Sequence, residues 1–277
     1  MNKGVNKITP YKIFVIVVIA VLAVLFTFPL YWILTGSLKD PIAINAAVPQ
    51  WWPLEPTLDN YVRLFEKPAF LWLMNTVFMA VMSMILTCIT AALAGYALAK
   101  KRFIGQTLVF SLFVCAMALP KQVVLIPLLK EMAFLGLHDT IWAVILPTVG
   151  WPFGVFLMKQ FSETIPSELL EAARIDGAGE LKTFLTVVLP IIKPGIGALA
   201  IFTFITSWNE YFLQLIMLNS QEVLTISLGI AKLQAEMASD FGLIMAGAAL
   251  AAVPIITVFL MFQKYFTQGI TMGAVKG

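Results

Sequence analysis

Of 277 residues, 60% are hydrophobic and only 12% are charged, about half the roughly 25% charged share of a soluble domain, so the chain is an integral membrane protein before any motif is read. A formal charge of +3 with no basic–aromatic cluster gives no sign of a nucleic-acid partner, and a lone histidine, His138, excludes a multi-histidine metal site. Cys88 and Cys115 both lie in apolar runs and read as small buried hydrophobes, without a disulfide framework.

Lys3, Lys7 and Lys12 precede an apolar run from Ile13 to Leu34. A signal peptide has a shorter apolar core; about 20 residues cross the hydrocarbon, so the run predicts a retained first helix. The stretch from Ser37 to Ala69 is polar and Pro-rich, with Trp51 and Trp52 as interfacial anchors. Within it, residues 57–65 predict a short capped surface helix. A second span runs from Leu71 to Leu98, and small residues over 91–97 permit close helix packing there. A third starts near Thr107, is interrupted at Pro120-Lys121-Gln122 and continues to Leu129. A fourth covers Ile141 to Met158, a fifth Gly195 to Met217, and a sixth Phe241 to Phe262, with Pro254 kinking the last. The expectation is an all-α membrane protein of six spans. Residues 1–70 hold the first helix and outer loop. Residues 71–262 hold a five-helix core that includes a polar loop over 159–194, and residues 263–277 form a tail. Six spans put both termini on one side, and Lys and Arg favour that side about two to one, which makes it cytoplasmic. The lack of a clear internal repeat disfavours many secondary-transporter folds.

The polar loop between the fourth and fifth spans organises the chain. Pro166-Ser167 is a start signal with Ser167 at the N-cap, and Glu168 and Glu171 lie near the positive end of the helix dipole. Asp176-Gly177 is a break, with positive φ or very close backbone approach at Gly177. Leu181, Phe184, Leu185 and Val188 then recur at helical spacing, and Pro190 bends or ends this second helix. The loop resembles the cytoplasmic pattern of permease subunits of binding-protein-dependent ABC importers: Glu-Ala-Ala, three residues, Gly, nine residues, Ile, one residue, Leu-Pro. Glu171, Ala172, Ala173, Gly177, Leu189 and Pro190 fall at those places, and Val187 stands where Ile is usual. The resemblance implies the type I ABC importer permease fold and makes this stretch, Asp176 included, the coupling helix that sits in a cleft of the ATPase subunit.

No nucleotide site is present. Gly177-Ala178-Gly179-Glu180-Leu181-Lys182-Thr183 lacks the Gly directly before Lys that a phosphate-binding loop needs, so ATP and Mg belong to partner ATPase subunits and this chain binds no cofactor of its own. The fifth span carries Trp208-Asn209-Glu210-Tyr211, then Gln214. An acid inside a membrane helix costs a few kcal/mol, so Glu210 faces protein or water. Two readings stand. Either Trp208 and Tyr211 stack on a sugar while Asn209 and Glu210 bond its hydroxyls, or Asn209 and Glu210 bond helix ends or a partner subunit and only line the route. Asn75 and the Lys121-Gln122 break are further polar candidates, with Lys121 expected to snorkel to the outer interface.

Trp-Asn-Glu-Tyr is similar to the carbohydrate-uptake branch of the family. The tail from Gln263, ending in Val275, Lys276 and Gly277, resembles that of the second permease of maltose-type importers, whose end reaches between the ATPase subunits. The resemblance implies a sister permease, two ATPase subunits, an extracytoplasmic sugar-binding protein, and a bacterial or archaeal cell membrane. It also implies alternating access for an oligosaccharide, with glycerol phosphate as the competing substrate. The alternative from another class is a stand-alone secondary transporter or channel with Glu210 as an ion or proton site.

Overall fold

The computed structural model describes residues 9–237 and 239–274, with side chains to residue 262, and no strand occurs among them. In chain order the elements are α1 (Pro10–Gly36), α2 (Pro41–Ile44), α3 (Asp59–Phe65), α4 (Ala69–Lys100) and α5 (Gln106–Met117). A 3-10 turn (Lys121–Val124) leads into α6 (Leu125–Phe134), followed by α7 (Trp142–Val149), α8 (Pro152–Glu163), α9 (Ser167–Ile175) and α10 (Glu180–Thr183). A π-helical turn (Phe184–Val188) leads into α11 (Leu189–Trp208), followed by α12 (Phe212–Met217), α13 (Ile226–Glu236) and α14 (Phe241–Ala274). Among the described residues five segments are long and apolar enough to cross a membrane, and the pair 106–117 and 121–134, bent by 104°, makes a sixth when taken as one broken span. The chain divides into two compact units.

One unit comprises residues 1–67 and 230–252. Its pin is Asn60, buried on α3, whose amide donates to the carbonyls of Ser37 (3.0 Å) and Lys39 (2.7 Å) and so satisfies the buried backbone just past the end of α1. Tyr61 and Ser37 share a hydroxyl hydrogen bond of 2.8 Å, and Arg63 pairs with Asp240. The surface helix expected over 57–65 is thus half-buried, with Asn60 and Leu64 as its inward face. Trp51 and Trp52 are exposed, as anchors in an interface should be.

The other unit comprises residues 68–229 and 253–277. Here α4 is central and packs against α7, α8 and α11. The small residues of α4 set the spacing: a Cβ at Gly95 would stand 2.6 Å from the backbone of Met158 and Lys159. Gly154 on α8 returns the contact, close to Ala91 and Thr87, and Gly195 on α11 receives the ring of Phe161. Gly150 makes no such approach; Trp151-Pro152 restarts the helix there instead, with Pro152 in the first turn where its missing N–H costs nothing.

Two expectations change. Ser167 is the first helical residue of α9 and Pro166, in an extended conformation, is the N-cap without a side-chain bond. Pro190 neither ends nor isolates the second loop helix: residues 180–208 form one 29-residue span. The π turn explains it. Leu189 N–H bonds back to Phe184, five residues earlier, and this shifted register absorbs the donor that Pro190 lacks.

Candidate functional site

The Glu171 loop is built as a capped turn on a buried footing. Helix α9 ends at Asp176; Gly177 N–H donates to Arg174 (3.0 Å) and Ala178 N–H to Ala173 (2.9 Å), the paired bonds of a Schellman motif. Gly177 has φ 77°, and a Cβ there would meet nothing within 4 Å. Of the two reasons for glycine the left-handed backbone is the operative one. Leu170, Phe184 and Val188 are buried with Tyr96, Met158 and Ile192, so the loop and the spans share one core. Two lysines tie it down. Lys100 donates to the carbonyls of Glu163 (3.1 Å) and Ile165 (2.5 Å), and Lys101 pairs with Glu180, which also receives Arg174 at 3.4 Å. Above this footing Glu171, Ala172 and Asp176 are exposed, and Ile175 is 86% and Leu181 68% exposed, one on each side of the glycine. Two large apolar side chains thus flank a turn whose acids are left uncovered.

A cavity of about 140 Å³ opens where two helix breaks meet. The third span breaks at Pro120–Lys121. The fifth breaks at Asn209–Tyr211 and resumes as α12, so Glu210 sits in a gap between helices rather than inside one. Glu210 Oε1 accepts the N–H of Leu213 at 3.3 Å, capping α12, while its other oxygen lies 4.0 Å from Lys121 Nζ. Lys121 stands 4.6 Å from the ring centroid of Trp151, with its side chain about half exposed. The wall adds Thr87, Thr203, Thr206 and Ser207 with Phe153 and Phe202. The hydroxyls of Thr87 and Ser207 are buried without a protein partner. Orphaned buried hydroxyls cost about 1–3 kcal/mol each; these two lie behind the wall of a cavity that offers an aromatic face and a carboxylate.

Residues 89–272 match the family described as binding-protein-dependent transport system inner membrane component. The chain belongs to that family. It is 33% identical over 274 residues to the arabinooligosaccharides transport system permease protein AraQ of Bacillus subtilis (strain 168), covering 96% of each chain. It is 34% identical over 263 residues to the melibiose/raffinose/stachyose import permease protein MelC of the same organism, covering 93% of this chain and 94% of that one. Its fold is similar to that of a chain in a bacterial ABC transporter involved in the import of the acidic polysaccharide alginate (TM-score 0.84, 22% identity, 96% of this chain and 100% of the other). It is a multi-pass, all-α permease subunit of an ABC importer, with the type I fold.

Not every polar residue singled out in this permease borders the cavity. Asn75 is buried and donates to the carbonyls of Glu222 (2.8 Å) and Leu224 (2.9 Å). Trp208 is buried against Phe204 and Ala80. Gln214, fully buried, accepts from Thr225 and donates to Met79. Asn209 donates back to Ile205 at 2.9 Å. It borders, with Glu210, Tyr211, Lys121 and Gln122, a second recess of about 210 Å³ beside the cavity. Val275, Lys276 and Gly277 lie outside the described residues. Sequence reasoning missed Trp151, Thr87 and Ser207 in the wall, and the tethers Lys100, Lys101 and Glu180. The partners of Lys100 and Lys101 are 63 to 79 residues away, so no local pattern marks them.

Proposed function

We propose that this permease is one of two different permease subunits that carry an oligosaccharide inward across a bacterial or archaeal cell membrane. It would work with a sister permease, two ATPase subunits that bind ATP and Mg, and an extracytoplasmic sugar-binding protein. The observation that carries the reading is the Glu171 loop: rigidly footed, uncovered at Ile175 and Leu181, and acidic at its rim. Such a face suits insertion into a cleft of a soluble subunit, and the family places its ATPase contact at this motif. Because residues 180–208 are one helix, a push on the loop is passed along the fifth span to the break at Glu210 without an intervening hinge of coil. That gives closure of the ATPase dimer a direct mechanical route to the cavity, with termini and loop on the cytoplasmic side.

The cavity supports a neutral, hydroxyl-rich substrate. The Glu210 carboxylate and the Thr206 hydroxyl can bond sugar hydroxyls, and aromatic walls can pack on the apolar face of a pyranose. Lys121 offsets the charge of Glu210, so a neutral sugar meets little net field. The relatives that transport arabinooligosaccharides or melibiose, raffinose and stachyose support the same substrate class. The test is uptake into vesicles holding the complete importer, across a sugar panel, with and without ATP. ATP-dependent uptake of an oligosaccharide is expected; uptake of glycerol phosphate in preference to every sugar would redirect the substrate assignment.

A further inference from the structure

Helix α4 ends between two lysines. Lys100 is its last residue, and Lys101 is already extended, with φ −106° and ψ 141°. The two side chains reach different places. Lys100 Nζ donates to the carbonyls of Glu163 (3.1 Å) and Ile165 (2.5 Å). Glu163 closes α8 and Ile165 stands shortly before α9, so this ammonium holds the entry of the Glu171 loop. Carbonyls at a helix C-terminus lack partners within the helix and favour a cation. Lys101 pairs with Glu180, the first residue of α10, and so holds the exit. Glu180 in turn receives Arg174, across the Gly177 turn, at 3.4 Å. One helix end thus grips both ends of the loop and, through Glu180, the turn between them.

The apolar core beneath the loop already joins Leu170, Phe184 and Val188 to Tyr96 of α4. Such contacts are non-directional and allow sliding; hydrogen bonds from an ammonium fix a register. Helix α4 runs unbroken from Ala69 to Lys100 with no internal proline. It meets the cavity at Thr87, about 20 Å along the helix axis from Lys100. Helix α11 meets the same cavity at Thr203 and Thr206. We infer that Lys100 and Lys101 are positioning residues of the coupling step: they clamp the loop to α4 and make that helix a second route by which motion reaches the cavity. With the clamp closed, the loop, α4 and α11 move as one body. Without it a push on the loop slides past α4, and hydrolysis proceeds with less sugar moved. The inference rests on the proposed coupling role of the loop.

The complete importer in vesicles tests it, with sugar uptake and ATP hydrolysis read on the same sample as sugar moved per ATP. Lys101→Met keeps the stem and removes the charge; it should lower that ratio about threefold, as suits a partly exposed pair. Lys100→Met strips a charged donor from two carbonyls and should lower it about tenfold. Lys101→Arg should keep it. In a Glu180→Gln background Lys101→Met should lower the ratio no further, because paired partners are not additive. Uptake and hydrolysis that fall in proportion in both lysine variants, leaving the ratio unaltered, would make the lysines supports of the fold and overturn the inference. Additive losses from Lys101→Met and Glu180→Gln would make each a separate contact of a partner chain and overturn the clamp too. If Lys100→Met is not recovered, Lys101→Met and its cycle with Glu180→Gln decide. Gly177→Val, run alongside, keeps this inference apart from the coupling reading. A lost ratio there with an intact one in Lys101→Met overturns the second route alone; an intact ratio in Gly177→Val overturns the coupling reading.

Discussion

A Cβ at Gly177 has open space around it, yet the backbone there is left-handed at φ 77°. The two requirements glycine can meet, room and conformation, are therefore separable by substitution. Gly177→Val should cost about 1–2 kcal/mol at the turn, because a β-branched residue resists positive φ. Gly177→Asn, which tolerates the left-handed region, should be mild. With complex recovery, ATPase rate and uptake measured together, Val should uncouple hydrolysis from transport and Asn should not; equal damage by both would mean that the partner contacts the glycine itself. Glu210 admits a similar separation. Its carboxylate caps α12 and faces Lys121. Glu210→Gln keeps an acceptor for Leu213 N–H and removes the charge, whereas Glu210→Ala loses the cap, about 1 kcal/mol. If the charge serves the substrate, Gln and Ala should both raise the half-saturating sugar concentration. If the cap alone matters, Gln should behave as the unaltered protein in the same uptake titration.

At the scale of elements, helix spacing depends on single glycines. Gly95→Leu forces a side chain against the backbone of Met158 and Lys159, which has nowhere to go; complex recovery should fall severely. Gly150→Ala has its nearest neighbour, the Pro147 carbonyl, at 3.8 Å and should leave recovery unchanged. The loops are held by polar clips. Asp139, at φ 60°, accepts the N–H groups of Asn219 (2.7 Å) and Ser220 (3.0 Å) and the Ser220 hydroxyl. The Ser220 hydroxyl first, then the two amides, hold its carboxyl below the ordinary 3.8. A depressed folded pKa contributes stability above the unfolded value and loses it as the pH falls through the folded one. Asp139→Asn should lower the melting temperature of the complex near neutral pH, and the gap from the unaltered protein should close as the pH is taken below 3.8. These particulars also show what could be read in advance. The break at Pro120 was legible because proline removes a donor. The break at Asn209–Tyr211 was not, since no Gly or Pro marks it; Asn209 bonding back to Ile205 and Glu210 capping forward make it. Pro190 misled for the opposite reason: a register shift that no residue type announces let the helix run on. The Glu171 loop was legible because its turn chemistry is local, and its tethers were not because they are distant in sequence.

For the whole molecule, the proposed function divides the labour: this chain would span, shape a route and receive motion, and partner chains would hydrolyse ATP. An uninterrupted helix over residues 180–208 joins the Gly177 turn to the cavity at Glu210, so force applied at one end should be felt at the other. The most direct measurement is sugar uptake into vesicles by the complete importer and by this chain alone, with ATP inside or with only an ion gradient. The account predicts ATP-driven uptake by the complete complex, its loss in Gly177→Val with the complex intact, and no uptake by the chain alone under either condition. Uphill uptake by the chain alone on an ion gradient, or unaltered ATP-driven uptake in Gly177→Val, would contradict it.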